Sequence, residues 1–446
     1  MRVFRDNKIF KEMIVFVVPV FLSYLFQNLY NSVDSLVVGN LISKEALAAV
    51  SNCSSVTNIM VGFFTGLSSG AMTIFARYYG AKKYDMLDNS IHTAIAFSII
   101  FGIIMAIGGY LLSDTLLTLM DYPSEVVYYA LPYLKIYFMG SVFSALFNIC
   151  SSITRAIGDS KTPFLILLLT TFLNVVLDIV FVYCFHMSVE GVALSTIISQ
   201  AVSSVAITRK LMKNKEYFDL RIKKLKIQAF YLKEMTVKGL PAGIQTCMIS
   251  LSNSLLQRYI NSFDTDIITG IGAAGKVDAF VAMPSASFGI AVSSLVSKYY
   301  GSKEKEKIKD CIIVGVVLSL ISTFALCIPI VINSKNLVGL FNSDIGVIEA
   351  GSAMVRVIVP LYFIGNLLEI TVGINRGFGK SLQVMAISIF SMIFVRQLFL
   401  AIAFSFAKNI FFIHICYPLC WAIALILNVV YYLCSVRKEY LAIENS

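Results

Sequence analysis

The chain has 446 residues, of which 58% are hydrophobic and 14% charged, with a formal net charge of +10 and a mean hydropathy of +0.80. Soluble proteins of this size carry about 25% charged residues, so a water-facing globule is excluded and lipid is the solvent. The basic excess would point to nucleic acid in a soluble protein, but here it lies between apolar stretches and reports membrane topology.

The opening MRVFRDNKIFKE has the charge of a signal-peptide start. No small-residue cleavage site follows the first apolar run, which therefore reads as a retained helix. A spanning helix needs about 20 apolar residues. Twelve stretches qualify, near 13–40, 46–76, 89–112, 126–152, 163–185, 189–212, 235–263, 267–296, 311–333, 350–374, 383–406 and 410–434. With both termini in the cytoplasm, alternation places most Lys and Arg residues inside and only Lys44, Lys335 and Lys408 in external loops, as the positive-inside rule requires.

Helix 1 carries Gln27, Asn31 and Asp34 on one face, and helix 5 carries Asn174 and Asp178 at i and i+4. Helix 6 offers Ser195, Thr196, Ser199 and Gln200. Asp34, Asp178 and Thr196 each sit about seven residues from the external end of their helix, roughly 10 Å deep at 1.5 Å per residue. Oxygen ligands at one level fit a small cation or a shared proton, and interhelical hydrogen bonding is the plainer alternative. Lys135 on helix 4 has similar depth but points to another face.

The cytoplasmic linker over residues 213–234 is basic with interspersed apolar residues, which fits a segment resting on anionic headgroups. Helix 7 has Leu255 and Leu256 where helix 1 has Asp34. Gly270 to Lys276 matches GxGxxG and nearly a P-loop, but it opens a membrane helix on the external side, so close packing by small residues explains it better. Lys276 and Asp278 on helix 8, Glu369 on helix 10 and Arg396 on helix 11 fit internal ion pairs, with a substrate-binding role for Asp278 and Glu369 as the alternative.

The chain repeats itself. Arg77-Tyr78-Tyr79-Gly80 recurs as Lys298-Tyr299-Tyr300-Gly301, and Arg155-Ala156-Ile157-Gly158 as Arg376-Gly377-Phe378-Gly379, each at a shift of 221 residues; Pro19 and Pro241 differ by 222. Because each repeat has six helices, both halves enter the membrane in the same sense. The predicted fold is an all-α membrane protein of twelve transmembrane helices in two six-helix bundles related by a pseudo-two-fold axis along the membrane normal. The expected domains are an N-lobe over 1–212, the linker over 213–234 and a C-lobe over 235–446. The repeat does not carry the acids across, since Asn174 maps to Val395 and Asp178 to Phe399. Nine cysteines read as apolar packing residues, and three separated histidines offer no catalytic or metal-binding spacing, so no enzyme is expected.

The stretches PVFLSYLFQNLYNSVDSLVVGNLISKEALAAVS, RYYGAKK, TRAIGDSKTP, LNVVLDIVF and GVALST resemble the multidrug and toxic compound extrusion (MATE) family. GLPAGIQT, AAGKVDAFVAMP and NRGFGKS are the second-half counterparts, and the resemblance covers nearly the whole chain. It implies a monomeric exporter of bulky, often cationic organic compounds in the bacterial cytoplasmic (inner) membrane, coupled to sodium or protons and needing no cofactor or nucleic acid. It also implies an N-lobe cation site at Asp34, Asn174 and Asp178, with Thr196, Asn148, and Tyr133 or Tyr137 contributing, and a helix 1 bend at Pro19. Gln27, Asn31, Tyr133, Tyr137, Asp278 and Glu369 are the residues expected to face substrate. Helix 7 lacks the acid of other branches, which argues against a C-lobe cation site. A lipid or oligosaccharide flippase of the same superfamily is the alternative, disfavoured by twelve helices and the acidic cluster.

Overall fold

The computed structural model describes residues 7–119 and 124–443. Arg2, Arg5 and the chain ends, expected in the cytoplasm, lie outside the described residues. No strand occurs among the described residues. The first half comprises α1 (Asn7–Leu41), α2 (Lys44–Gly80), α3 (Tyr84–Leu119), α4 (Ser124–Met139), α5 (Ser141–Ala156), α6 (Lys161–Ile179) and α7 (Val189–Lys213). The second comprises α8 (Ala229–Ile260), α9 (Thr265–Gly301), α10 (Lys305–Ile332), α11 (Ser334–Gly339), α12 (Ile345–Ile358), α13 (Tyr362–Gly377), α14 (Ser381–Ile389), α15 (Arg396–Phe406), α16 (Ile410–Tyr431) and α17 (Arg437–Ala442).

Among the described residues ten helices are long and apolar enough to cross a bilayer, and the α4–α5 pair, bent by 47° at Gly140, makes an eleventh. The twelfth is α8, with 32 residues. Its apolar run is interrupted by Lys238, Gln245, Gln257 and Arg258, so it matches the others in length rather than hydropathy. Several helices outrun their apolar stretches. The segment after residue 76 stays helical to Gly80, where Ala81 N closes the end on Arg77 O.

The repeat is written into the backbone. Lys82 and Lys303 share left-handed φ values of 55° and 59°, and Gly158 and Gly379 share values of 97° and 85°. Each helix end closes with the same return bond, Lys83 N to Tyr78 O at 3.0 Å and Glu304 N to Tyr299 O at 3.0 Å. The second pair closes with Asp159 N to Thr154 O at 3.0 Å and Lys380 N to Asn375 O at 2.9 Å. These are the six-to-one bonds that satisfy the last helix carbonyls.

The chain forms two compact units, Leu22–Gly243 and Met1–Phe21 with Ile244–Ser446. Val38, Phe64, Leu134, Phe138 and Val192 lie in the core of the first. Leu256, Val281, Val355, Tyr362 and Leu400 lie in that of the second. This division differs from the predicted one. α1 changes unit after Phe21 and α8 after Gly243, each two residues beyond a helix proline, Pro19 or Pro241. The start of α1 buries Ile9, Met13, Phe16, Val17 and Val20, an i, i+4, i+7 stripe that packs with the second half; Met13 reaches the neighbourhood of Gly315 on α10. The start of α8 packs on α2, where a Cβ added to Gly66 would lie 2.5 Å from Ala242 O.

The linker is held to α3. Asp219 N donates to Asp88 Oδ1 at 2.8 Å, Arg221 N to His92 Nε2 at 3.2 Å, and Gln228 Nε2 to Asn89 Oδ1 at 2.7 Å. Part of its backbone is thus satisfied by protein, while Arg221, Lys223 and Lys224 remain exposed.

Candidate cation site

Within the Leu22–Gly243 unit, α1, α4, α6 and α7 bring polar side chains to one level. Asp34 is 6% exposed, and Asn174 and Asp178 are fully buried. α6 packs along α7, which sets Asn174 and Asp178 against Ser195. Asn174 Nδ2 donates to Ser195 Oγ at 3.1 Å, and the Ser195 hydroxyl donates to Asp178 Oδ1. The Asp34 and Asp178 carboxyls lie within hydrogen-bonding reach of each other. One turn before Asp34 on α1, the Tyr30 hydroxyl shares a 2.8 Å hydrogen bond with Thr196, whose own hydroxyl also meets Val192 O at 3.0 Å. Tyr133 and Tyr137 stack with ring centroids 5.9 Å apart, and both rings neighbour Asp34.

The acceptors outnumber the donors. Asp34 Oδ1, Asp178 Oδ2 and Asn174 Oδ1 are buried oxygens without a donor. Buried polar atoms normally find partners, and facing carboxylates repel unless a proton or cation lies between them. Two carboxylates, an amide and hydroxyls supply oxygen ligands only, the donor set for a hard cation or a shared proton. Among the described residues no group of three or more His, Cys, Asp or Glu comes together.

Asp34, Asn174, Asp178 and Thr196 are thus assembled, with Tyr133 and Tyr137 alongside. Asn148 is engaged elsewhere: its Oδ1 accepts from Thr65 at 3.3 Å and its Nδ2 donates to Ser144 O at 2.9 Å. Gln27 and Asn31 are exposed, although they share a face with buried Asp34. Lys135 pairs with Asp114 on α3 at 2.9 Å, away from the two acids as its spacing suggested. Tyr30 and Ser195 were not singled out by the sequence. Tyr30 lies at i−4 from Asp34, but tyrosine is common in these helices. Ser195 was one of four candidates on a helix that also carries Ser203, Ser204 and Thr208.

The other unit does not form the expected ion pairs. Arg396 is 2% exposed and meets neutral groups, with its Nε left without a hydrogen-bond partner. Its Nη1 donates to Asn253 Oδ1 at 2.7 Å and Ser252 Oγ at 3.3 Å, and its guanidinium lies 5.1 Å from the centre of the Tyr417 ring. Asp278 has Tyr362 as its hydrogen-bonding neighbour. Lys276 is exposed. Glu369 lies over Gly289, where an added Cβ would meet its Oε2 at 3.1 Å. The glycine-rich run of α9 packs against α12: a Cβ on Gly270 would lie 2.7 Å from Val347 O.

The MatE family model matches residues 19–180 and 241–402, one segment in each half. The probable multidrug resistance protein YoeA of Bacillus subtilis is 27% identical over 439 residues, covering 97% of this chain and 95% of that protein. The multidrug export protein MepA of Staphylococcus aureus is 25% identical over 387 residues, covering 86% of this chain and 85% of that protein. A MOP superfamily transporter from Pyrococcus furiosus has a similar fold, with a TM-score of 0.91 at 21% identity over 98% of this chain and 97% of that one. An outward-facing multidrug resistance MATE family transporter gives a TM-score of 0.90 at 21% identity, covering 100% of this chain and 98% of that one.

Proposed function

The chain belongs to the MatE family of multi-pass membrane transporters, and from that premise we propose that it exports bulky, often cationic organic compounds across the bacterial cytoplasmic membrane in exchange for sodium or protons. The multidrug names of the Bacillus and Staphylococcus relatives support the substrate class. The observation that carries the coupling is the set of donor-less buried oxygens on Asp34, Asp178 and Asn174. A cation or proton bound there neutralises the acid pair and draws α1 toward α6 and α7. Substrate bound in the loaded protein is then released outward. Coupling of this kind is a binding free energy, so substrate and cation each weaken the other's affinity by the same factor.

Asp278 and Glu369 are assigned to substrate selection, with Tyr133, Tyr137, Gln27 and Asn31 lining the path. Residues 213–234 and both termini are placed in the cytoplasm by the lysine distribution, and one chain suffices for transport. The pairing of Lys135 with Asp114 leaves room for sodium as well as a proton, since no ammonium fills the site. A flippase would need a basic cavity for anionic headgroups, and the acid pair disfavours it.

The test is efflux of a fluorescent organic cation from liposomes holding the purified chain, with sodium and proton gradients imposed one at a time. Efflux driven by one gradient and not by its absence supports the reading. Gradient-independent export, or movement of labelled lipid instead, overturns it.

A further inference from the structure

The two halves share a contact outside the acid pair. In the unit containing the start of α1, the Tyr299 hydroxyl donates to Glu12 Oε2 at 2.6 Å and Lys298 Nζ meets the same oxygen at 3.2 Å. In the Leu22–Gly243 unit, the Tyr78 hydroxyl donates to Glu234 Oε2 at 2.5 Å while Lys238 Nζ meets Oε1 at 2.8 Å. Tyr78 and Tyr299 are 221 residues apart, and Glu12 and Glu234 are 222 apart. The tyrosine–glutamate bond therefore occurs twice, at the shifts that relate the repeated motifs and the prolines, while the lysine comes from the tyrosine's helix in one case and from the glutamate's own helix in the other.

Its placement is also repeated. Each glutamate sits seven residues before its proline, and each helix changes unit two residues after that proline. The contacts run crosswise: Glu12, from the first half, is held by second-half residues, and Glu234 is held by Tyr78 of the first half. Isolated surface ion pairs contribute little. Here a phenol and an ammonium converge on a half-buried carboxylate, as charge-assisted bonds. The flanking apolar stripes, Met13 and Phe16 on α1 and Tyr231 and Met235 on α8, are buried.

We propose that Glu12 and Glu234 are positioning residues of the transport cycle, anchoring the cytoplasmic ends of α1 and α8 in the opposite half so that each helix moves at its proline instead of sliding. The assignment rests on the transport reading above. The two anchors differ in what they control. α1 carries Asp34, so Glu12 sets the position of a cation ligand, whereas α8 has Leu255 and Leu256 at the matching level.

The test uses the full chain with Glu12→Ala, Tyr299→Phe, Glu234→Ala and Tyr78→Phe. The tyrosine variants remove one hydroxyl and keep the ring packing, which covers the case in which an alanine variant fails to fold. Hydrogen exchange in lipid nanodiscs should speed up about tenfold in residues 7–21 for the first two and in residues 229–243 for the last two, with the other segment unchanged. In liposome efflux of ethidium, the Glu12 and Tyr299 variants should lower turnover several-fold and raise the cation concentration for half-maximal rate. The Glu234 and Tyr78 variants should lower turnover alone, a split that a merely structural contact would not produce. Combining Glu12→Ala with Tyr299→Phe should be no worse than Glu12→Ala.

Unchanged exchange, or faster exchange with normal turnover and cation dependence, overturns the assignment. If the unaltered protein shows no gradient-driven efflux, the transport reading falls and takes the assignment with it. That outcome is distinct from failure of the anchors alone, in which the unaltered protein transports and the variants match it.

Discussion

Asp34→Asn separates a coupling role from a structural one, because the two predict opposite signs in different assays. Asp34 Oδ1 and Asp178 Oδ2 are buried acceptors with no donor. An asparagine at position 34 supplies the missing N–H and removes one of two facing negative charges. A hydrogen bond to a charged group contributes about 1.5–3 kcal/mol, so the variant should be at least as stable as the unaltered protein. Removing one partner from a buried ionic cluster costs about 3–5 kcal/mol. Charged against the bound cation, that is a hundredfold or greater loss of affinity, at about 1.4 kcal/mol per factor of ten. Efflux should therefore vanish at ordinary cation levels while the melting temperature holds or rises. Asp178→Asn should act likewise, and the double variant should be little worse than either single one, since groups acting as a unit are non-additive. The assays are ion-driven efflux in liposomes and thermal unfolding of the same preparations. Full efflux by Asp34→Asn at normal membrane levels would refute the reasoning, as would a lowered melting temperature with transport intact.

Four further outcomes are expected. Tyr30→Phe loses the bond to Thr196, worth about 1 kcal/mol, so a cation titration of efflux should shift roughly fivefold with the substrate range unchanged. Lys135→Gln should leave the cation response intact, because its partner is Asp114; loss of coupling would show that it serves the acid pair. Glu369→Gln and Asp278→Asn should change which compounds leave more than whether export is ion-driven, and loss of transport for every substrate with binding preserved would put the coupling site in the other half. A cysteine at Lys224 should resist membrane-impermeant maleimide applied outside intact cells, and labelling there would reverse the topology.

Membrane spans are legible in sequence because lipid allows no polar relief over about 20 residues, and the lysines count the crossings independently. The span of α8 is legible too, over 235–263, although polar residues interrupt its apolar run. Asp34 and Asp178 stand out because an ionisable group in lipid is costly and so seldom idle. Spacing along one helix could not tell which hydroxyl of α7 would reach α6, nor that Tyr30 would meet Thr196. Asn148 was placed by resemblance and is held by Thr65 instead. The charges of the second half suggested pairs by simple arithmetic, but Arg396 found an amide, a hydroxyl and an aromatic ring, and no sequence rule favours a carboxylate over these. The unit boundaries at Phe21 and Gly243 depend on which half covers each apolar stripe, a tertiary choice that hydropathy does not encode.

The crosswise division also fixes an order of assembly. Unit Leu22–Gly243 is contained in one uninterrupted stretch of chain, so all its parts exist once residue 243 has been made. The other unit includes the start of α1 and cannot close until α9 follows. Glu12 and Tyr299 are 287 residues apart, a wait of roughly 15–60 s at typical synthesis rates. Through that interval Met13, Phe16 and Val20, all buried in the finished protein, have no second-half surface to cover them. The nascent chain must park the start of α1 in lipid or on the insertion machinery until its partner is born.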